Sequence, residues 1–150
     1  MPQNDVVIRP FNLASDTRTL SAIWLDASLI AHPFIGRQRL LEQRLLIEDK
    51  YLPNSETWVA RQGNKALGFI SLLDKFVGGI FVAPREQGKG VGRQLIVHAL
   101  EKKGELTLEV YTQNEQAVRF YTGLGFREVS RRPYDDEGMP FENARLTLST

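Results

Sequence analysis

With 150 residues and no cysteine, the chain suits one domain, residues 1–150, held by an apolar core rather than by disulfides or thiolate-bound metal. Hydrophobic residues make up 42% and charged residues 25%, so a fibrous or disordered chain is excluded. The net charge of +1 gives no field for nucleic acid, and two histidines are too few for a histidine-built zinc site. No apolar run approaches the roughly 18 residues of a membrane span, and the opening MPQNDVVIRPF lacks the parts of a signal peptide. The expectation is a cytoplasmic protein with no metal, no nucleic-acid partner and no membrane.

The β-branched run over 5–10 predicts a first strand. Ser15-Asp16 can cap a helix in which Leu20, Ile23, Trp24, Ala27 and Ala31 recur at helical spacing. Pro33 and Gly36 interrupt it. A second helix is expected over 36–50, with Leu41 and Leu45 facing inward, then a loop at Pro53-Asn54-Ser55. Strands over 57–61 and 66–73 join at Gly63-Asn64, a hairpin signal, and Asp74-Lys75 turns into a strand over 76–82. A helix follows with Val91, Leu95, Ala99 and Leu100 on one face and Lys103-Gly104 at its end. Then come a strand over 106–111, a helix over 114–123, and a hairpin of 126–132 with 141–148 around Asp135-Asp136-Glu137-Gly138.

The chemistry concentrates where the 76–82 strand meets the next helix, at Gln87-Gly88-Lys89-Gly90-Val91-Gly92. A helix start exposes N–H groups without partners and carries the positive end of the dipole, so this loop reads as an anion site for a phosphate-bearing cofactor. It is not a Walker A loop, because Gly88-Lys89 is followed by Gly90 and no hydroxyl is placed for magnesium. It imitates a dinucleotide fingerprint through Gly88, Gly90 and Glu109, but Gly92 comes one position early. The alternative is that the glycines only make a tight turn. Gly78-Gly79, inside a strand, mark either a bulge or a close approach by a neighbouring ring.

The whole stretch 76–126 resembles the GNAT N-acetyltransferase family. The family's acyl-CoA signature, Gln/Arg-x-x-Gly-x-Gly/Ala, is matched by Gln87, Gly90 and Gly92. Its next element is matched by LEVY, Asn114, Ala117, Phe120-Tyr121 and Gly125-Phe126. Trp24 and the His32-Pro33-Phe34 element are similar to a small bacterial subgroup. The resemblance implies the GNAT α/β fold: a mixed sheet, parallel at its middle, with helices on both faces and the order β-α-α-β-β-β-α-β-α-β-β. It implies acetyl-CoA as co-substrate, with Gln87, Gly88, Lys89, Gly90, Val91, Gly92 and Arg93 at the pyrophosphate, the strand backbone at Phe81 and Val82 along the pantetheine arm, and Asn114 touching the cofactor. Asn114 can also be a helix N-cap.

For catalysis, the resemblance makes Tyr121 the acid that protonates the departing thiolate; the alternative is ring packing. The strand over 76–82 carries no acid, unlike many GNAT enzymes. Glu109 is the substitute base, or else a structural carboxylate; His32 and a water chain are the other candidates. Trp24, His32 and Phe34 are expected to line the acceptor pocket, with Asp135, Asp136 and Glu137 either attracting a cation or merely solvated. The reading is an acetyl-CoA-dependent N-acetyltransferase acting on a primary amine of a protein or small molecule. The rivals are a non-catalytic acyl-CoA sensor and a nucleotide-binding protein using the glycine loop. A homodimer is compatible with the sequence, which does not fix an oligomeric state.

Overall fold

The computed structural model describes residues 5–150. One seven-stranded sheet runs through it in the order β1-β2-β3-β4-β5-β7-β6. The strands are β1 (Val6–Pro10), β2 (Glu56–Gln62), β3 (Lys65–Leu73), β4 (Phe76–Val82), β5 (Glu105–Tyr111), β6 (Arg127–Arg132) and β7 (Asn143–Ser149). Every pairing is antiparallel except β4 with β5. The helices are α1 (Leu13–Ala31), α2 (Arg37–Leu46), α3 (Leu52–Asn54), α4 (Val91–Lys103) and α5 (Glu115–Gly123). Among the described residues no helix is long and apolar enough to cross a membrane.

The sheet separates two cores. On one face α4 buries Leu95 and Ile96 against Ile70, Leu72, Leu106 and Leu108. On the other, α1 and α2 bury Leu20, Trp24 and Leu40 against Val59 and Phe69. Strand alternation distributes β5 between them: Leu106, Leu108 and Val110 join the α4 side, while Tyr111 packs on the α1 side.

The predicted strands and the helices after them match the observed order, and the differences are local. The cap of α1 is Asn12, not Ser15-Asp16: the Asn12 side chain accepts from the Ser15 N–H, and Asp16 turns back to accept from the Asn12 N–H at 2.7 Å. The second helix buries Leu40, 2% exposed, while Leu41 and Leu45 are 37% and 62% exposed. Apolar residues at 40, 41, 45 and 46 describe two overlapping stripes, and packing under α1 selects the one through Leu40. The regular α2 stops at Leu46, where a wide π turn over Ile47–Tyr51 leads into α3. Pro53 therefore lies in helix directly after the π turn, rather than in a loop.

Candidate active site

Parallel pairing of β4 with β5 covers only Phe76 with Thr107 and Val77 with Leu108. Beyond Val77 the two strands part, and the β5-facing edge of β4 has no strand partner among the described residues. The parting begins at a bulge: Ser71 pairs with Gly79 and Leu72 with Val77, leaving Gly78 as the extra residue. Both alternatives for the glycine pair hold, one at each residue. Gly78 is the bulge, and a Cβ on Gly79 would lie 2.6 Å from the Phe81 ring.

The glycine loop sits at the end of β4. A 3-10 turn, Pro84–Glu86, precedes it, and Gly90 in the left-handed region (φ 86°) starts α4. The Gln94 N–H donates to the Gly90 carbonyl. Among the described residues, the N–H groups of residues 88–93 have no backbone acceptor. Gln87 ties the loop to β4 by donating from Nε2 to the Val82 carbonyl at 3.1 Å. The space that a Cβ on Gly92 would enter belongs to the Phe120 ring, 3.1 Å away, so this glycine admits α5.

Lys89 does not point free. Its Nζ lies 3.3 Å from Glu86 Oε1, and Lys65 reaches the other oxygen of the same buried carboxylate at 2.5 Å. Hydrogen bonding to Lys65 draws the Glu86 carboxyl below its ordinary range; burial opposes this, and Lys89 adds to the lowering.

Tyr121 projects from α5 into the α4-side core, between Phe120 at 5.2 Å and Phe126 at 5.5 Å. Its hydroxyl makes no hydrogen bond among the described residues, and burial pushes its pKa above that of an ordinary phenol. Asn114 caps α5: its Oδ1 accepts from the Ala117 N–H, which leaves Nδ2 to donate to His32 Nε2 at 3.3 Å. This geometry needs the neutral imidazole with its proton on Nδ1. Burial pushes the His32 pKa down to about 4. The unfolded chain protonates this ring below about pH 6.5, and the folded protein does not until about pH 4. The His32 contribution to stability is thus complete above pH 6.5 and is lost as the pH falls towards 4, with a slope of at most about 1.4 kcal/mol per pH unit. Urea unfolding between pH 5 and 7 should show that slope and show it reduced in His32→Asn; an unchanged slope would mean that His32 is not the titrating group.

On the α1 side, His32, Phe34 and Tyr111 meet edge to face with centroids 5.1–5.8 Å apart, and Phe141 joins Phe34 at 5.2 Å. Trp24 stands elsewhere than expected. It is 6% exposed and packs edge to face on Phe81 at 6.3 Å. Tyr111 donates its hydroxyl to Asp135 at 3.2 Å, and burial together with that carboxylate raises its pKa. Asp135 is buried and also accepts from Arg39 and from the N–H groups of Glu137 and Met139. Burial raises the Asp135 pKa, but these donors outweigh it and the net shift is downward. Glu137 accepts from Arg39 and Gln43, and Asp136 from Arg132. The acidic turn is thus neither bare nor merely solvated: it fastens the β6–β7 loop onto α2.

Glu109 is the first β5 residue past the last β4 pair. Its carboxylate meets Arg132 at 2.8 Å and Arg145 at 3.6 Å. Arg145 in turn lies 5.6 Å from the Phe76 ring centroid. A groove of about 580 Å³ lies between β1 and α4, lined among others by Val6, Ile8, Gly90, Arg93, Val97 and His98. Among the described residues no group of three His, Cys, Asp or Glu is placed to hold a metal ion.

The Acetyltransferase (GNAT) domain family matches residues 53–128, which span β2 to β6 and contain both the loop and α5. This chain belongs to the GNAT acetyltransferase family. Peptidyl-lysine N-acetyltransferase YjaB of Escherichia coli strain K12 is 37% identical over 123 residues, 81% of this chain and 83% of that protein. Peptidyl-lysine N-acetyltransferase YiaC of the same strain is 32% identical over 127 residues, 84% and 87% of the two chains. The solution structure of apo-form YjaB superposes with a TM-score of 0.86 at 34% identity, covering 95% of this chain and 97% of that one. The protein is an N-acetyltransferase, and the sensor and nucleotide-binding alternatives are not favoured. In this GNAT domain the glycine loop follows directly on the parted strand β4, and α5 packs on the start of α4 through Phe120 at Gly92. Sequence reasoning missed Tyr111, Phe141, Arg39, Arg132, Arg145 and the buried Glu86. Only Tyr111 left a signal, as the aromatic end of a strand.

Proposed function

We propose that this protein moves the acetyl group of acetyl-CoA onto the side-chain amine of lysine in proteins. The parting of β4 and β5 beside an unpaired row of loop N–H groups carries this reading, and the kinship with two peptidyl-lysine acetyltransferases supports the acceptor. The N–H groups of residues 88–93 hold the pyrophosphate, with Arg93 and Lys89 at the rim. The pantetheine arm lies along β4 at Phe81 and Val82 as an added strand. Asn114 holds the start of α5 beside it. The amine enters from the α1 side, past His32 and Phe34. Its nitrogen attacks the thioester carbonyl, the C–S bond breaks, and the Tyr121 hydroxyl gives its proton to the leaving thiolate while the amine gives its own to Glu109 or to water.

Glu109 is engaged by two guanidiniums, Arg132 and Arg145, so an incoming amine meets it as part of an ion-pair cluster rather than as a free carboxylate. His32, neutral and occupied at Nε2, is suited to holding Asn114 rather than to accepting the proton.

The test supplies purified protein with acetyl-CoA and four acceptors: a lysine peptide blocked at its N-terminus, a lysine-free peptide with a free N-terminus, spermidine and an aminoglycoside. Thiol release and acetyl mass should both follow the lysine peptide. Glu109→Gln should lower kcat/KM for that peptide roughly tenfold or more and move the acidic limb of its pH profile. Turnover only with another acceptor would overturn the lysine assignment, and an unchanged profile in Glu109→Gln would leave deprotonation to solvent.

A further inference from the structure

The loop that receives a polyanion is built over a carboxylate. Glu86 ends the 3-10 turn before the glycines and is 5% exposed, directly preceding the Gln87–Gly92 run. An acid so close to bound phosphates would repel them if its only effect were its charge. It is not alone, however. Lys65, from the start of β3, and Lys89, from inside the loop, each hold one of its oxygens. Both lysine side chains are more than half exposed, so neither is fixed by packing along its length. The carboxylate is the fixed point, and the ammonium groups are organised by it.

We infer that Glu86 is a positioning residue for the cofactor: it anchors Lys89 so that the ammonium is held at the loop before the phosphates arrive, and Lys65 neutralises Glu86 so that Lys89 remains available to them. This rests on the reading of the loop as the pyrophosphate site. A free lysine loses much rotamer freedom when it settles on a phosphate, and a lysine already tethered three residues from its anchor loses less. Lys65 completes the arrangement. With two cations on one carboxylate the group keeps a net positive charge, and Lys89 can turn part of its donor capacity outward; its ammonium has three N–H bonds and Glu86 uses one oxygen. Without Lys65 the buried carboxylate would depend on Lys89 alone.

The sign of one substitution separates positioning from plain charge. Glu86→Gln removes a negative charge beside the phosphates, so bulk electrostatics predicts a lower KM for acetyl-CoA. Loss of the anchor predicts a KM roughly threefold to tenfold higher, with kcat at saturation unchanged and the folded state retained by thermal melting. Lys65→Met should raise the same KM. In a Lys89→Met background, Glu86→Gln should add nothing, since it acts through the lysine already removed. A lower KM in Glu86→Gln, or a further change in the double variant, would overturn the inference. Gly90→Val, measured alongside, distinguishes the two levels. If it leaves acetyl-CoA binding intact, the loop assignment fails and the role of Glu86 with it; if it abolishes binding while Glu86→Gln tightens it, only the role of Glu86 fails.

Discussion

Replacing Tyr121 by phenylalanine should lower kcat by roughly 100-fold or more while leaving the KM for acetyl-CoA nearly unchanged. The substitution is clean. The ring keeps its edge-to-face contacts with Phe120 and Phe126, and the lost hydroxyl has no hydrogen-bonding partner among the described residues, so folding has little to lose. The raised pKa keeps the phenol protonated throughout the neutral range, as a group that must give up a proton late in the reaction requires. The same shift keeps Tyr121 ionisation out of the alkaline limb of the pH–rate profile below about pH 10. Steady-state release of CoA, with the lysine peptide as acceptor, reads both constants. Wild-type turnover in Tyr121→Phe would reduce the residue to a packing role.

The second large effect belongs to Gly90. Its φ of 86° lies where a side chain is strained, and nothing stands within 4 Å of the Cβ that valine would bring. Crowding inside the protein therefore has no part in the outcome. The cost of roughly 1–2 kcal/mol for an L-residue in the left-handed region falls on the turn that aims the N–H groups at the start of α4. Because so many donors depend on that turn, acetyl-CoA binding should fall by about two orders of magnitude or beyond detection, while the circular dichroism spectrum and melting of the protein remain those of a folded domain. Calorimetry with acetyl-CoA is the direct measurement, and binding at wild-type strength in a folded Gly90→Val would remove the loop from the cofactor site.

Much of this architecture could be read along the chain. Strands bounded by Gly63-Asn64, Asp74-Lys75 and Pro84 announce their own ends, while the Gln87–Gly92 loop points to acetyl-CoA only together with the family resemblance of the segment after it. What stayed hidden depends on partners distant in sequence. Whether Leu40 or Leu41 turns inward is settled by α1, not by α2 itself. Asp135 looks like one acid in a solvated turn until Arg39, from α2, and Tyr111, from β5, are placed beside it. Glu86 is an unremarked letter between Pro84 and Gly88 until β3 delivers Lys65. Gly92 carries a packing constraint that no local pattern shows, because a ring from α5 occupies the space of its Cβ. The resemblance points to the loop and to α5; the side chains packed around them have no local pattern.

The short parallel joint has a consequence for assembly of the chain. Among the described residues, apart from the pairs at Phe76–Thr107 and Val77–Leu108, every ladder lies either within residues 6–82 or within residues 105–149. The sheet is therefore two sequence-contiguous antiparallel halves, sewn at one seam and spanned by α4. A molecule that lies along both free edges does more than occupy a site: it becomes a stitch between the halves. At one hundred times its dissociation constant such a ligand adds about 2.7 kcal/mol to the free energy of unfolding, through groups placed where the protein itself supplies only two rungs.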